Sequence, residues 1–138
     1  MGRRSAKVDL SPRSLTVEEF AAPTRVARGH EVRVIRLFDS DKLCTEIYVD
    51  FTEKTLAAHN YVTDPIKTAF GNNVLPSWTD FIAFLEERCI PRQRAGLQEY
   101  LDVIGVSEYD PFSIIQKTAG RMAEDNQWVE IVDSACPR

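Results

Sequence analysis

The hydrophobic period of this chain changes once, and that change constrains the fold more than any other feature. Between residues 31 and 62 apolar side chains alternate with polar ones, as in strands that bury one face. After residue 77 apolar side chains recur every three or four residues, as in amphipathic helices. Strands and helices that are segregated along the chain predict an α+β fold built on an antiparallel sheet.

The first region predicts three strands joined by short turns, which favours an antiparallel meander. The predicted strands span residues 31–38, 44–51 and 55–62. The middle strand has an inward set of Ile47, Val49 and Phe51 and an outward set of Glu46, Tyr48 and Asp50. The outward set is a candidate binding surface if a partner covers it, and is otherwise an ordinary solvated face.

Cap residues indicate one short and three longer helices, which should cover one face of the sheet. Asp64 and Pro65 predict a short helix that Gly71 ends. The longer helices are predicted over residues 77–91, 91–104 and 110–120, with Pro91 between the first two. A last strand over residues 128–132 should return to the sheet edge, so the sheet has three strands plus a C-terminal strand.

At 138 residues the chain is long enough for one domain with a real core. We predict a basic, mobile arm over residues 1–28, a single α+β domain over 29–133 and a tail over 134–138. No apolar run approaches the roughly 18 residues of a membrane span, and no secretory signal is present. Three widely spaced cysteines favour reduced thiols and a cytoplasmic protein.

Charge is divided unevenly between the arm and the rest of the chain. Residues 1–30 hold six basic and three acidic side chains, whereas residues 31–138 hold eleven basic and eighteen acidic ones. A dedicated DNA-binding domain is usually basic overall. The acidic body therefore favours a basic protein partner, unless its charge serves solubility alone.

Three arginines, Arg88, Arg92 and Arg94, lie where one predicted helix ends and the next begins. A cation is favourable in the last turn of a helix, as predicted for Arg88, and unfavourable in the first turn, as predicted for the other two. We favour internal ion pairing, with partners among Glu86, Glu87, Asp110, Glu124 and Asp125. The alternative is a site in which these arginines, with Lys117 and Arg121, contact a phosphate backbone or an acidic partner.

Three spaced motifs follow one another in the second half of the chain. They are Phe84-Leu-Glu-x-Arg-Cys-x-Pro-Arg-x-Arg94, Tyr109-Asp-Pro-Phe-x-Ile-Ile115 and Thr118-x-Gly-Arg-Met-Ala-Glu-Asp-x-x-Trp128. With these motifs the chain resembles small uncharacterised proteins carried on phages and conjugative elements of Firmicutes, over roughly residues 45–132. The resemblance implies a cytoplasmic setting and a mobile-element context, and it does not extend to the arm.

The side-chain inventory does not indicate catalysis. The sequence has no nucleophile-elbow, phosphate-loop, dinucleotide or zinc-protease motif. Cys89, on an apolar helix face, is interpreted as a small core residue rather than as a nucleophile. No cofactor is predicted, because no two zinc-ligand residues have the close spacing of structural zinc sites. If zinc does bind, Cys44 and His59 on neighbouring strands are the best pair.

These features predict a non-catalytic protein that binds another protein. In its most concrete form it is an inhibitor from a mobile element that acts on host defence. The expected target is an RNA-guided effector nuclease, so that the chain would be an anti-CRISPR protein whose acidic surface competes with nucleic acid. The alternatives are a nucleic-acid-binding accessory protein of a phage or conjugative element, and a small zinc-binding protein.

Overall fold

The computed structural model describes residues 15–73 and 75–132, which form one antiparallel sheet with helices against both faces. The strands are β1 (Val32–Asp39), β2 (Lys42–Asp50), β3 (Thr55–Asn60) and β4 (Gln127–Val132), in the order β3-β2-β1-β4. β4 pairs antiparallel with β1, so the C-terminal strand extends the three-stranded meander as predicted. The predicted α+β class is therefore confirmed.

Three helices cover what we call the inner face of the sheet. They are α3 (Trp78–Glu87), α4 (Leu97–Ile104) and α5 (Pro111–Thr118). The strands contribute Ile35, Leu37, Ile47, Val49 and Leu56 to this core, and the helices contribute Phe81, Leu85, Leu101, Ile114 and Ile115. Burying each such side chain contributes roughly 1.5–3 kcal/mol. Within the described ranges, none of the helices is long and apolar enough to cross a membrane.

The start of α3 follows directly from its sequence. Ser77 Oγ accepts the N–H of Asp80 at 3.2 Å, and the Asp80 carboxylate accepts the N–H of Ser77 at 2.9 Å. These reciprocal bonds satisfy two N–H groups that a helix leaves without intrahelical partners. The start predicted for the first long helix, at residue 77, is therefore confirmed.

The short helix predicted over residues 64–71 is wrong, because this segment forms a succession of turns. The N–H of Ala69 donates to the buried hydroxyl of Thr45 in β2 at 3.0 Å, instead of to a carbonyl one helical turn earlier. The hydroxyl of Thr68 bonds the carbonyl oxygens of Pro65 and Gly71 at 3.2 and 3.1 Å. Side chains thus take over the bonds that a helix would have made.

The second long helix begins six residues later than predicted. α4 starts at Leu97, after Gly96, whose φ of +72° is incompatible with a continuous right-handed helix. Before it, the N–H of Arg94 donates to the carbonyl of Pro91 at 3.1 Å and closes a separate turn. Arg92 and Arg94 therefore lie in a loop, and the predicted conflict with a helix dipole does not arise.

Residues 15–30, which we call the strap, cross the outer face of the sheet. They contain α1 (Val17–Phe20) and α2 (Ala22–Ala27). Phe20 is 1% exposed and packs with Val32 and Ala57, so the strap is held by a small apolar cluster of its own. This part of the predicted arm is packed on the sheet, and helices therefore cover both faces rather than one. Residues 1–14 of the arm and the predicted tail over 134–138 lie outside the described residues.

Candidate binding surfaces

Arg88 is an internal cation that joins the end of α3 to the start of β4. Its Nη1 and Nη2 donate to the two carboxylate oxygens of Asp125 at 2.9 and 3.1 Å. Its Nε donates to the carbonyl of Gly120 at 2.9 Å, and Nη2 also donates to that of Gln127 at 3.0 Å. The guanidinium holds the pKa of the Asp125 carboxyl below its usual value. Of the candidate arginines, Arg88 is thus occupied within the fold.

The turn after α5 is shaped around Arg88. Ala119 and Gly120 have φ values of +59° and +62°, so two successive residues are left-handed. A Cβ at Gly120 would lie 3.3 Å from Arg88 Cβ and 3.3 Å from Val129 Cγ2. The N–H of Val129 donates to the carbonyl of Ala119 at 2.7 Å and ties the turn to β4. Glycine is therefore favoured at residue 120, because another residue would be strained at this φ and its Cβ would make Arg88 or Val129 shift by a few tenths of an ångström.

Arg92 and Arg94 are exposed and lie over tyrosine rings. The Arg92 guanidinium is 4.2 Å from the ring centroid of Tyr109, and that of Arg94 is 5.0 Å from the centroid of Tyr100. Arg92 also donates to the exposed carboxylate of Glu86 at 3.2 Å. Exposed contacts of these kinds each contribute about 1 kcal/mol or less. Both guanidinium groups are accessible to a partner.

Lys117 and Arg121 do not join these two arginines in one basic surface. Lys117 lies in the last turn of α5, where its Nζ is 3.9 Å from the position of a Cβ on Gly105. Arg121 lies over the ring of Trp128, 5.1 Å from the centroid, on the outer side of the sheet. The five cations predicted as a phosphate site are therefore divided among the interior, a loop, α5 and the outer face.

An aromatic stack stands on the part of the outer face that the strap leaves open. By strand alternation this open half carries Arg36, Phe38, His59, Trp128 and Glu130. The rings of Phe38 and Trp128 are nearly parallel, with centroids 4.5 Å apart. Because Phe38 and Arg121 already contact the indole, little ring surface is left on which a nucleobase would stack. The stack closes the hairpin end of the sheet.

Glu46 and Tyr48, two of the three predicted outward residues, belong to a closed polar cluster. Glu46 Oε1 accepts the hydroxyls of Tyr48 and Tyr61 at 3.0 and 2.9 Å, and Oε2 accepts Arg36 Nε at 2.8 Å. Burial alone would raise the pKa of Glu46, but Arg36 and the two hydroxyls more than offset it, so the pKa is lowered. Burial and the carboxylate raise the pKa of Tyr48 to about 12.

Asp50, the third outward residue, is fully buried beneath the strap. Its Oδ2 accepts Arg25 Nη1 at 2.9 Å and lies 2.7 Å from His30 Nδ1. Its Oδ1 accepts the N–H groups of Thr52 and Glu53 at 2.8 and 3.0 Å, which shapes the turn between β2 and β3. Burial would raise the pKa of Asp50, but the Glu53 N–H, His30 and Arg25 together lower it. Asp50 therefore makes internal contacts, which join the strap to the turn between β2 and β3.

One group of three metal-ligating side chains occurs in the described ranges. The ligand atoms of His30, Asp50 and Glu53 lie within 4.8 Å of one another. Arg25 Nη1 donates to Asp50 Oδ2 at 2.9 Å and to Glu53 Oε1 at 2.6 Å, so a guanidinium already lies between the two carboxylates. A divalent cation would be repelled by that charge and would have to displace it. These residues do not fit a metal site.

The candidate zinc ligands Cys44 and His59 lie in different environments. Cys44 is fully buried, with Sγ 3.5 Å from the carbonyl of Lys42, whereas His59 is exposed and packs edge-on against Tyr61. Cys89 is also buried, and burial raises the pKa of its thiol to about 12. A thiol with that pKa is almost wholly protonated at neutral pH and is a poor nucleophile.

An acidic surface that the sequence interpretation missed follows α4 and the loop after it. Residues 97–110 contain four acidic side chains and no Lys, Arg or His. All four acidic side chains are exposed, and Val103 among them is 85% exposed. We call this set, Glu99, Asp102, Val103, Glu108 and Asp110, the acidic ridge. The absence of a basic residue over these fourteen residues and an apolar residue away from the buried face of α4 were the available signals.

Comparisons of the chain with family models, with curated proteins and with solved structures give no match. The functional conclusion therefore rests on the surfaces of the molecule alone.

Proposed function

We propose that this chain is a non-catalytic protein that binds a basic surface of another protein. The observation that supports this proposal is the acidic ridge. Its four carboxylates are exposed, and residues 97–110 contain no Lys, Arg or His. Lys117 of α5 lines one cavity with Glu108 and Asp110, whereas Glu99 and Asp102 do not line it. The negative potential of these carboxylates accelerates encounter with a positively charged partner and disfavours negatively charged ones. Val103, near the C-terminal end of α4, supplies an apolar contact that such an interface would remove from water.

The most concrete form of the proposal is an inhibitor, encoded by a mobile element, of an RNA-guided effector nuclease. Nucleases of that class hold the guide–target duplex in a positively charged channel. A ridge of carboxylates at the mouth of such a channel competes with the phosphate backbone for the same cations. The engagement of Glu46, Asp50 and Cys89 in internal contacts supports a binding role over a catalytic one.

The test is a cleavage assay with an assembled complex of nuclease and guide RNA, to which the full chain is added. We expect inhibition of target cleavage and a direct affinity for the nuclease. A variant with Glu99→Lys and Asp102→Lys reverses half of the charge of the ridge. It should weaken binding on the order of ten- to a hundred-fold, mostly through slower association.

The matched control carries Glu18→Lys and Asp41→Lys, which change the net charge equally at exposed positions outside the ridge. It should inhibit like the unmodified chain. Equal loss in the two variants would show that only bulk charge matters. Absence of inhibition by the unmodified chain would contradict the nuclease as target, and binding to a different basic protein through the ridge would then redirect the proposal.

The second candidate function is nucleic-acid binding, which the accessibility of Arg92 and Arg94 favours. If it is correct, mobility shifts with single- or double-stranded probes should weaken steeply with salt. A variant with Arg92→Ala and Arg94→Ala should abolish them while costing only the small stability contribution of these exposed contacts. No shift even at low salt would remove this candidate and leave protein binding.

A further inference from the structure

The strap depends on the sheet for its structure. α1 and α2 contain four and six residues, and helices of that length are not stable in isolation. Only Phe20 and Ala22 of the strap are buried apolar side chains, and Leu15, Val17 and Val26 are partly buried against the same small cluster. Its first backbone contact with the sheet is the bond from the N–H of Leu15 to the carbonyl of Leu56 at 2.8 Å. Few contacts therefore hold a segment that covers part of a sheet face.

The polar contacts of the strap converge on Asp50. Arg25 and His30, the two basic side chains that face this carboxylate, both belong to the strap. Glu53 is the other charged group at the site, and it also accepts from Arg25, at 2.6 Å. Arg25 Nη1 reaches Thr55 Oγ1 as well, at 3.0 Å. One buried carboxylate thus fastens the strap to β2.

The same arginine holds a strained junction between the two helices of the strap. Ala21 ends α1 and begins α2 with φ of 52° and ψ of 61°, a left-handed conformation that is unfavourable for a residue with a Cβ. Arg25 Nε donates to the carbonyl of the adjacent Phe20 at 2.6 Å, and its guanidinium lies 4.4 Å from the Phe20 ring centroid. Release of Arg25 from Asp50 would also remove support from this junction.

The strap covers an apolar strip of the outer face. Phe20 packs against Val32 and Ala57, and its ring centroid is 6.3 Å from that of Tyr48. Tyr48 links this strip to the open half of the outer face, because its hydroxyl and that of Tyr61 both donate to Glu46. Without the strap, the strip and the open half would form one continuous surface.

We propose that the strap is a releasable cover, fastened by Asp50, that opens while the sheet stays folded and exposes the strip of Val32, Tyr48 and Ala57. This inference is independent of the acidic ridge, which lies on α4 and the loop after it in the helical layer. Opening of a weakly held segment below the global unfolding free energy is a common property of folded domains.

The test is amide hydrogen exchange of the full chain under native conditions. The hydrogen-bonded amides of Leu15, Phe20 and Arg25 report on the strap, and those within β1 and β2 report on the sheet. We expect the strap amides to exchange at least about ten-fold faster than the sheet amides, after correction for intrinsic rates. Equal protection of the two sets would mean that the strap opens only when the sheet unfolds, and would overturn the proposal.

Two variants should change the exchange rate of the strap amides in opposite directions. Asp50→Asn keeps an oxygen for the turn N–H groups but removes the charge that binds Arg25 and His30. It should accelerate exchange of the strap amides on the order of ten- to a hundred-fold. Ala21→Gly relieves the left-handed junction and should slow exchange of the same amides roughly three-fold or more.

The matched control is Glu46→Gln, which neutralises the other buried carboxylate of β2 at a residue that makes no hydrogen bond to the strap. It should leave exchange of the strap amides unchanged. If Asp50→Asn accelerates strap and sheet amides equally, the strap is part of the global fold and the proposal is wrong. If Glu46→Gln accelerates the strap amides as much as Asp50→Asn, Asp50 is not the fastening.

Discussion

The two faces of the sheet are covered by different means. On the inner face, three helices bury apolar side chains in one cluster. On the outer face, a short strap and two buried carboxylates, Asp50 and Glu46, provide much of the cover. Apolar burial is non-directional and spread over many contacts, whereas a buried carboxylate depends on a few directional bonds. We therefore expect the inner face to set global stability and the outer face to set local opening.

The largest expected effect is on the free energy of unfolding, when one buried aromatic residue is removed from each face. Phe81 and Phe20 are 0% and 1% exposed. Phe81→Ala should lower the free energy of unfolding by about 3–5 kcal/mol, because it leaves a cavity in the main core. Phe20→Ala should lower it by less than about half as much, since it mainly releases the strap. Denaturant unfolding measures both, and equal losses would contradict the division between the faces.

The next effect compares two arginines that are four residues apart. Arg88→Leu should destabilise the fold by about 2–4 kcal/mol, because it leaves the carbonyls of Gly120 and Gln127 without their donor and separates α3 from β4. The partial exposure of Asp125 moderates the loss, since water can solvate the freed carboxylate. Arg92→Leu, the matched control on the surface, should change stability by less than about 1 kcal/mol. Thermal unfolding of the two variants distinguishes them.

A smaller effect, on the pKa of Tyr48, tests the role of Glu46. Glu46→Gln removes the negative charge that, with burial, raises the pKa of Tyr48 to about 12. The pKa should fall toward the ordinary tyrosine value of about 10, and stability should drop by about 1–2 kcal/mol. Ultraviolet titration of phenolate follows the first change. Glu130→Gln, which alters the other carboxylate bonded to Arg36, should leave the Tyr48 titration in place.

The smallest expected effect is the acid response of the strap. The pKa of Asp50 is lower in the folded state than in the unfolded chain. Its contribution to strap attachment is therefore fully present above the unfolded value of about 3.9 and is lost as the pH falls through the folded value. Arg25 keeps its charge in acid, so the loss of the negative charge on Asp50 weakens the bonds that hold Arg25 and His30 to it. Exchange of the strap amides should accelerate in acid in the unmodified chain and much less in Asp50→Asn.

Local patterns were sufficient to predict most of the fold. The alternation in residues 44–51, the cap at Ser77 and the apolar period of α3 are properties of neighbouring residues, and the structure reproduces them. The helix prediction for residues 64–71 is wrong because Thr45, about twenty residues earlier, accepts a backbone N–H from this segment. The predicted start of α4 is wrong because Gly96 is left-handed, and glycine adopts either sign of φ, so local sequence does not specify this conformation.

The candidate site was less predictable, because its determinants are distant in sequence. Glu46 and Asp50 alternate like solvated residues, yet Arg25 and His30, twenty or more residues earlier, bury Asp50. A period of two assigns a face but does not say what covers it. By contrast, a carboxylate partner for Arg88 could be expected from composition, although selecting Asp125 required the turn that carries it.

The turn that receives Arg88 also has a consequence for sequence variation. Residue 120 favours glycine, because it is left-handed and a Cβ there would press on Arg88 and Val129, and Arg88 has a bonding partner at residue 125. In any set of related chains, positions 88, 120 and 125 should therefore change together or stay fixed together. Positions 92 and 94, only a few residues away, should drift freely unless an external partner holds them. Counting substitutions at these five positions would separate the constraint of folding from the constraint of binding.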